Sequence, residues 1–246
     1  MNRKNIHEKY HSGVKLQKRI ISSNNFTYRN TILLVNEFFA KKSEILDIGC
    51  GVGTIDFYIV SNYPNIKIKG VDISEKAIDA AVKNSSKFGF GENISYSITS
   101  FPGSVIKGKF DGVLISEVLE HIPNDKIAVN KIYSMCGNES IVIASSPSIT
   151  APLYRLGMLK NFDNRVGHLR RYSAKEFKKL FENNGFKIIK FVETEGILRN
   201  FLFTNSTAGK FIRYIRGPFS DIVTFFDNLT IPIFGASNYY IVAQKK

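Results

Sequence analysis

The feature that most constrains this chain is a glycine-rich turn between a short apolar run and the start of a helix. Residues 45–54 read ILDIGCGVGT, so glycines stand at the alternate positions 49, 51 and 53. Glycine permits positive φ and lets a ligand approach the backbone, because it has no side chain to block either. The dinucleotide fingerprint is G-x-G-x-x-G, whereas the spacing here is G-x-G-x-G. The turn therefore predicts a nucleoside ligand other than a dinucleotide, above the end of a strand.

Strand and helix patterns alternate along the chain. Apolar runs predict strands at residues 45–48, 66–71, 93–98, 110–115, 140–145, 186–192 and 239–243. Helical spacing of apolar residues lies between these runs, with Ser74 and Ser173 at helix starts. The alternation predicts an α/β fold with a largely parallel sheet that is flanked by helices, closed by a hairpin-like pair at the carboxyl end.

Three segments depart from this alternation. A basic arm at 1–26 precedes the expected domain at 27–246, which a loop at 147–172 and an insertion at 195–235 interrupt. Ligands bind at the carboxyl ends of the strands in such sheets. We expect the loop and the insertion to form a cap there, on the substrate side, and the arm to act as a lid.

The charge balance favours anionic partners. Lys and Arg number 34 against 21 Asp and Glu, a net charge of +13, and the isoelectric point is about 9.6. Phosphates, nucleic acid or a membrane surface would suit this charge, and general solubility is the alternative explanation. Cys50 and Cys136 are far apart and unpatterned, which predicts a reducing compartment. With no signal-like or membrane-spanning apolar run, the expectation is a cytoplasmic protein.

Asp72 is the acid that a nucleoside site requires. It closes the second predicted strand, about 20 residues past the glycine turn, where a carboxylate can accept hydrogen bonds from a ribose diol. The alternative is a helix-capping acid, but Ser74 already supplies a cap. The ribose interpretation is therefore favoured.

Three ordered segments resemble class I S-adenosylmethionine-dependent methyltransferases: residues 45–54, 70–74 and 110–123. The last contains E-x-L-E-H and is similar to the ubiquinone-biosynthesis-like (type 11/12) branch. Residues 167–173 and 234–237 resemble methyltransferases encoded beside glycan and cell-envelope genes. The resemblance implies a Rossmann-like seven-stranded sheet with an antiparallel last strand, and S-adenosylmethionine as the cofactor at the strand ends.

The resemblance also assigns cofactor contacts. The methionine moiety is expected at Asp47 and the glycine turn, the ribose at Asp72 and the adenine beside Ile73. Ser100 and Phe101 stand where the family usually has an acid that contacts the adenine amine. The expected cofactor-binding residues are Asp47, Gly49, Cys50, Gly51, Gly53, Asp72, Ile73, Ser100, Phe101 and Ser116.

Two histidines are candidates for a catalytic base. Displacement at a sulfonium methyl by a hydroxyl needs an aligned acceptor that loses its proton. His121 follows Glu117 by four positions, which would place both on one face of a helical turn. An equal alternative for His121 is that it orders the loop after the fourth strand. Glu117, His121 and His168 are the expected catalytic residues.

The methyl acceptor is expected to be anionic. Arg170 and Arg171 suit a bidentate clamp on phosphate or carboxylate, and contacts with helix ends or acids of the chain are the alternative. Tyr172, together with Tyr10 and His11 of the arm, completes the expected substrate-binding residues. We expect O-methylation of a small molecule, a sugar or a lipid-linked precursor, in glycan biosynthesis.

The insertion at 195–235 interleaves aromatic and basic residues. One interpretation is an amphipathic surface that contacts the membrane at its periphery. Others are a lid or dimer contact, or a helical cap with a buried apolar face. The oligomeric state stays open.

Other functions compete with this hypothesis. The basic charge also suits an RNA or other nucleic-acid methyltransferase, but residues 116–119 lack the Asn/Asp-Pro-Pro-aromatic sequence of enzymes that methylate base amines. A dehydrogenase would need a third glycine near residue 55, and a non-catalytic protein would bind S-adenosylmethionine without transfer. The four histidines are scattered in sequence, so no metal site is expected.

Overall fold

A computed structural model describes residues 3–11, 13 and 16–246. The strands are β1 Glu44–Ile48, β2 Lys67–Asp72, β3 Ile94–Ile98, β4 Phe110–Ser116, β5 Cys136–Pro147, β6 Phe186–Thr194 and β7 Asn238–Lys245. The helices are α1 Arg3–Tyr10, α2 Arg29–Phe38, α3 Thr54–Asn62, α4 Glu75–Phe88, α5 Asp125–Met135, α6 Pro152–Arg155, α7 Lys160–Val166, α8 Ala174–Glu182, α9 Ile197–Thr204, α10 Pro218–Asn228 and α11 Ile231–Phe234. Two 3-10 segments lie at Leu119–His121 and Ala208–Tyr214.

Within the described residues the strands form one seven-stranded sheet in the order β3-β2-β1-β4-β5-β7-β6. The pairs from β3 to β5 are parallel, and β7 runs antiparallel to both β5 and β6. This arrangement confirms the predicted fold, including the antiparallel last strand. Because β1 and β4 lie side by side at the centre, their carboxyl ends form a crevice between the outward crossovers.

Hydrophobic cores cover both faces of the sheet. One core packs α5 and α8 against strands β4, β5 and β7, and the other packs α2 and α3 against β1, β2 and β5. Predicted caps are present: the Ser74 hydroxyl accepts a hydrogen bond from the amide of Ala77, and Ser173 forms a capping box with Glu176. These caps fix where α4 and α8 begin.

The fifth strand differs most from its prediction. It begins at Cys136 rather than near residue 140, because Cys136 pairs with Phe110 ahead of a register shift. The polar residues that follow, including Glu139 at φ 57°, interrupt the apolar pattern that would have indicated a strand.

Among the described residues, no helix combines the length and the apolar character that crossing a bilayer requires.

Candidate functional site

A cavity of about 590 Å³ opens at the carboxyl ends of β1, β2 and β4. Two groups of residues line it. The lining residues of the glycine-turn wall lie within segments 47–55, 71–73 and 99–101, and those of the histidine wall lie within segments 116–122, 162–171 and 195–204. Not every residue of these segments reaches the cavity. Most of the predicted site residues therefore meet at one place.

The glycine turn adopts a left-handed backbone at each glycine, with φ of 78° at Gly49, 54° at Gly51 and 81° at Gly53. A side chain at Gly49 would overlap Val118, whereas a Cβ at Gly51 would face the cavity and lie 3.8 Å from His11 Cε1. Only the first two glycines line the cavity. The prediction of a ligand contact at Gly53 is therefore not met.

Gly53 instead packs inward and begins α3. A Cβ there would overlap the Tyr96 hydroxyl and lie 2.7 Å from the Phe57 ring. Its φ of 81° ends the turn at the amino end of α3. The third glycine thus serves the close approach of α3 to the sheet, because only a residue without Cβ fits there.

Two buried carboxyls lie beneath the turn. Asp47 and Asp56 are 4% and 0% exposed, and the Tyr96 hydroxyl donates to Asp56 Oδ2 at 3.0 Å. Burial raises the pKa of Asp56 to about 6, against hydrogen bonds from Asp47 and Tyr96 that favour ionisation. Burial, reinforced by the Asp56 charge, raises the pKa of Asp47 well above its usual range. The sequence analysis missed Asp56 because it reads as an ordinary first-turn acid.

Asp72 joins the second strand to the glycine turn. Its Oδ2 accepts a hydrogen bond from the Gly51 amide at 3.0 Å, and its Oδ1 accepts one from the Ser74 amide at 2.8 Å. Both amides hold the carboxylate at the cavity wall, where it retains lone pairs for a ligand. Cys50, Ile73, Ser100, Phe101 and Ser116 also line the cavity. Their contact with the cofactor stays a prediction.

Glu117 and His121 do not share a helical face. Glu117 has φ 56°, and the following residues form a 3-10 turn, so the regular α-helical spacing that the prediction required is absent here. The Glu117 carboxylate instead accepts hydrogen bonds from Ser145 Oγ and Asn238 Nδ2, both at 2.8 Å. Glu117 therefore links β4 to β5 and β7 at the cavity.

His121 and His168 lie together, with ring centroids 5.0 Å apart. His121 Nδ1 is 3.0 Å from the Gly167 carbonyl oxygen, and His168 Nδ1 is 2.9 Å from Asp163 Oδ1. Because both partners accept, each Nδ1 carries the proton of its hydrogen bond. The two Nε2 atoms are each 3.9 Å from Glu120 Oε1.

Glu120 is the functional residue of this wall that the sequence analysis missed. It is 0% exposed, Ser146 Oγ donates to its Oε2, and in the described part of the chain its Oε1 has no hydrogen-bond partner. Burial and the nearby Glu117 charge raise the pKa of Glu120 well above its usual range. Its place in E-x-L-E-H was the available signal.

The predicted arginine clamp is corrected by the ion pairs of these side chains. Arg171 donates to both oxygens of Asp163, at 2.9 and 2.6 Å, and Arg170 Nη1 lies 2.7 Å from Asp125 Oδ2. The Tyr172 hydroxyl also donates to Asp125. Arg171 lines the cavity, whereas Arg170 and Tyr172 do not. Arg171 therefore holds the carboxylate that orients His168, and the other two residues anchor α5.

Asp163 stays ionised in this network. Burial opposes its ionisation, but the hydrogen bonds from His168 and Arg171 outweigh burial and hold the pKa of Asp163 below its usual value. An ionised carboxylate at Nδ1 stabilises a positive charge on the His168 ring.

The arm reaches the cavity through His11, which lines it. Burial lowers the pKa of His11, although Asp72 and Glu8 oppose this effect. Glu8 Oε1 accepts a hydrogen bond of 2.6 Å from the Glu75 amide and so fastens α1 to α4. Tyr10 belongs to α1, and its side chain lies outside the described part of the chain, so its predicted substrate contact stays a prediction.

The side chains of Glu120, His121 and His168 offer three potential ligand atoms within 4.8 Å of one another. The histidines are 47 positions apart in sequence, so their spacing did not indicate this cluster. The predicted absence of a metal site stays a prediction.

Comparisons with known proteins agree on one family. A family model described as a methyltransferase domain matches residues 24–190. The carboxy-S-adenosyl-L-methionine synthase of Campylobacter hominis is 26% identical over 192 residues, which is 67% of this chain and 80% of that protein. The ubiquinone biosynthesis O-methyltransferase of Azoarcus sp. is 30% identical over 94 residues, 37% of this chain and 39% of that one. The chain spans less than a third of the first two curated relatives it matches.

Solved structures with a similar fold include methyltransferases. An N-methyltransferase from Bradyrhizobium japonicum, solved in complex with S-adenosyl-L-homocysteine, superposes with a TM-score of 0.63. The match covers 100% of this chain and 99% of that one at 15% identity, and so shows a shared fold.

Proposed function

The chain belongs to the methyltransferase-domain family, whose cofactor is S-adenosylmethionine, and on that premise we propose that it methylates a hydroxyl group of an anionic acceptor. The acceptor classes that fit are a small molecule, a sugar or a lipid-linked precursor. The observation that carries the proposal is the pair of oriented histidines, His121 and His168, on the wall across from the glycine turn.

The cavity suits the cofactor. S-adenosylmethionine carries a sulfonium and an ammonium, and the carboxylates of Asp72 and Glu117 line the cavity. Ionised carboxylates favour such cations. Gly51 leaves the turn open to the cofactor's methionine moiety, and Asp72 stands ready for the ribose hydroxyls. When bound, the cofactor supplies an electrophilic methyl group.

The histidine wall removes the acceptor's proton. Nε2 of His168 can accept the proton from a hydroxyl held in the cavity, because Nδ1 of that ring is occupied as a donor to Asp163. The His168 ring has the stronger support, since ionised Asp163 stabilises its protonated form and Arg171 holds Asp163 in place. We assign His168 as the base and His121 as a second acceptor that lies against it.

A binding experiment tests the first part of the proposal. The melting temperature is measured with S-adenosylmethionine, S-adenosylhomocysteine and NAD. Ligand at about 100 times its dissociation constant stabilises a fold by about 2.7 kcal/mol. We expect a shift with both adenosyl ligands and none with NAD. A folded protein that responds to neither adenosyl ligand contradicts the proposal.

A transfer experiment tests the second part. Methyl-labelled S-adenosylmethionine is incubated with the protein and with water-soluble, lipid or nucleic-acid fractions of a cell extract. We expect label in an alkali-resistant ether of the first two fractions, lost by about 100-fold or more in His168→Ala. Arg170→Ala is the matched control, because Arg170 lies outside the cavity and should leave transfer intact.

Other outcomes decide between the competing hypotheses. Label that ribonuclease releases would favour a nucleic-acid methyltransferase, and cofactor binding without transfer to any fraction would favour a non-catalytic partner protein. The convergence of Glu120, His121 and His168 also suits a divalent cation. Transfer that EDTA abolishes and zinc or magnesium restores would replace the proton-accepting role with a metal site.

A further inference from the structure

Helix α10 buries its polar residues and exposes its apolar ones, which is the reverse of an ordinary surface helix. Its buried residues are polar, with Ser220, Thr224 and Asp227 at 0%, 7% and 2% exposure. Its outward side chains include Phe225 and Phe226, which are 61% and 62% exposed. Surface helices normally bury the apolar stripe and expose the polar one. The exposure of these rings therefore needs an explanation beyond packing within the chain.

Hydrogen bonds hold the polar stripe of α10 inward. Asp227 Oδ2 accepts from the Gly196 amide at 2.9 Å and its Oδ1 accepts from the Leu198 amide at 2.8 Å, which satisfies the amino end of α9. Thr224 Oγ1 accepts from Arg199 Nη2 at 3.2 Å. A rotation that buried the phenylalanines would break these bonds and take Thr224 and Asp227 away from Arg199. The outward apolar stripe is thus a fixed property of the fold.

The exposed apolar residues continue before and after α10. We call them the apolar cap face, which consists of Phe211, Tyr214, Phe219, Ile222, Phe225, Phe226, Leu229 and Ile233. Each is more than half exposed. Concentrations of apolar surface of this kind mark sites where a protein or a membrane binds.

Cations accompany this face. Lys210, Arg213 and Arg216 are exposed in the same segment, and Arg213 lies 5.4 Å from the Tyr214 ring. Of the acids between 208 and 234, Asp227 points inward and Asp221 forms an ion pair with Arg29. The segment therefore presents aromatic rings and positive charge together, the combination that binds an anionic lipid surface.

A bilayer fits this face better than a second copy of the chain. A symmetric dimer brings the same patch of both copies together, so the cations would face each other. Helix α10 has 11 residues, which is too short to span a bilayer but long enough to lie in its interface. We propose that the apolar cap face docks on an anionic bilayer surface.

The docking would place the cavity beside the lipid. Asn200, Phe203 and Thr204 of α9 line the cavity, and α9 is joined to α10 through Asp227. The proposed docking stands without any methyl transfer. Its consequence, that the acceptor reaches the cavity from the bilayer as an amphiphile with a polar head, rests on the proposed function.

Vesicle co-sedimentation tests the docking. The full chain is mixed with vesicles of phosphatidylcholine alone or of phosphatidylcholine with phosphatidylglycerol, at low and high salt. We expect binding to the phosphatidylglycerol vesicles that weakens with salt, because salt screens the cations. Absence of binding to either vesicle at low salt overturns the proposal.

Two pairs of variants locate the docking surface. The double variant Phe225→Ser with Phe226→Ser should lower vesicle affinity by about tenfold for each ring. The double variant Arg213→Gln with Arg216→Gln should lower it by about fivefold for each charge. The matched controls are Val105→Ser with Ile127→Ser, also exposed apolar residues, and Lys83→Gln with Lys126→Gln. Binding that responds equally to controls and to cap variants reflects general charge and overturns the proposal.

The remaining outcome concerns self-association. If the chain dimerises in solution, if Phe225→Ser with Phe226→Ser abolishes the dimer, and if vesicles are not bound, the face is a dimer contact and the membrane proposal is wrong. The thermal shift with S-adenosylhomocysteine is measured on every variant. Its persistence separates failure of docking from failure of the proposed cofactor site.

Discussion

The glycine-turn wall comes from the ends of neighbouring strands that follow each other within about sixty residues of sequence, whereas the histidine wall joins segments around residues 120, 165 and 200. The first wall is held by backbone amides, such as that of Gly51 on Asp72. The second is held by side-chain ion pairs, such as Arg171 on Asp163. Backbone hydrogen bonds thus hold one wall together, and charge pairs between side chains hold the other.

Buried acids with a raised pKa accompany each wall. Beneath the glycine turn one of them is Asp56, which pairs with another acid and a tyrosine. On the histidine wall, besides Glu120, another is Glu195, whose burial raises its pKa to about 7 although the Arg199 charge opposes the rise. Asp56 pairs with an acid and a tyrosine, whereas Glu195 lies near an arginine, so substitutions should affect the two walls differently.

The largest expected loss of folding stability comes from breaking the ion pairs behind the histidine wall. Arg199 is 0% exposed, lies near Glu195 and Asp227, and stacks on Phe26 at 4.0 Å. Arg199→Met leaves the acids buried without their cation, so the free energy of unfolding should fall by about 3–5 kcal/mol. Urea denaturation measures this loss.

The exposed ion pair of Lys190 with Glu37 provides the control for Arg199. Lys190→Met should change the free energy of unfolding by less than about 1 kcal/mol, because solvent screens this pair. Equal losses in the two variants would show that burial does not set the strength of the Arg199 interactions.

The second prediction concerns pH and the glycine-turn wall. Asp56 has a folded pKa of about 6 against 3.8 in the unfolded chain. The protonated form of Asp56 therefore stabilises the folded state. This contribution is fully present below pH 3.8 and is lost as the pH rises to about 6. In Asp56→Asn this loss, up to about 3 kcal/mol, should disappear. Denaturation curves across this pH range measure the difference between variant and parent.

The other wall supplies the internal reference for that titration. Glu195 titrates near pH 7, and its contribution is likewise lost as pH rises from 4.5 to about 7. Asp56→Asn should leave this higher step in place. Loss of both steps in the one variant would mean that the two walls are coupled, contrary to their separate construction.

The third prediction separates cofactor binding from catalysis. Asp72→Asn removes the charge and one of the two acceptors that the Gly51 and Ser74 amides use. The free energy of binding S-adenosylhomocysteine should become less favourable by about 2 kcal/mol, which calorimetry measures. Asp163→Asn, on the histidine wall, should leave that affinity unchanged while methyl transfer falls. The reverse pattern would exchange the roles assigned to the walls.

The smallest effect is expected at the apolar cap face. Phe225→Ser with Phe226→Ser should change the free energy of unfolding by about 0.5 kcal/mol or less for each ring, because both rings are already exposed. Thermal denaturation in the absence of lipid measures this. A large loss would show that the rings pack within the protein and would place them in its core.

The fold and the glycine-turn wall could be predicted to a large extent from the sequence. The glycines, Asp72 and Ser116 lie where strand ends meet, and parallel order follows from the alternation of strands with helices. The structure of the histidine wall was less predictable from the sequence. Glu117 adopts a left-handed φ of 56°, which periodicity does not reveal, and the arginines bind acids that are 8 and 45 positions away.

The sequence by itself determined the order of the strands' apolar runs, the caps of α4 and α8 and the glycine turn, because each depends on residues within a few positions of one another. Tertiary structure alone decided that His121 meets His168, that Glu120 is buried beside them and that α10 turns its phenylalanines outward. These features depend on which distant polar groups satisfy each other once water is excluded, and a buried charge selects its partner by three-dimensional distance rather than by spacing along the chain.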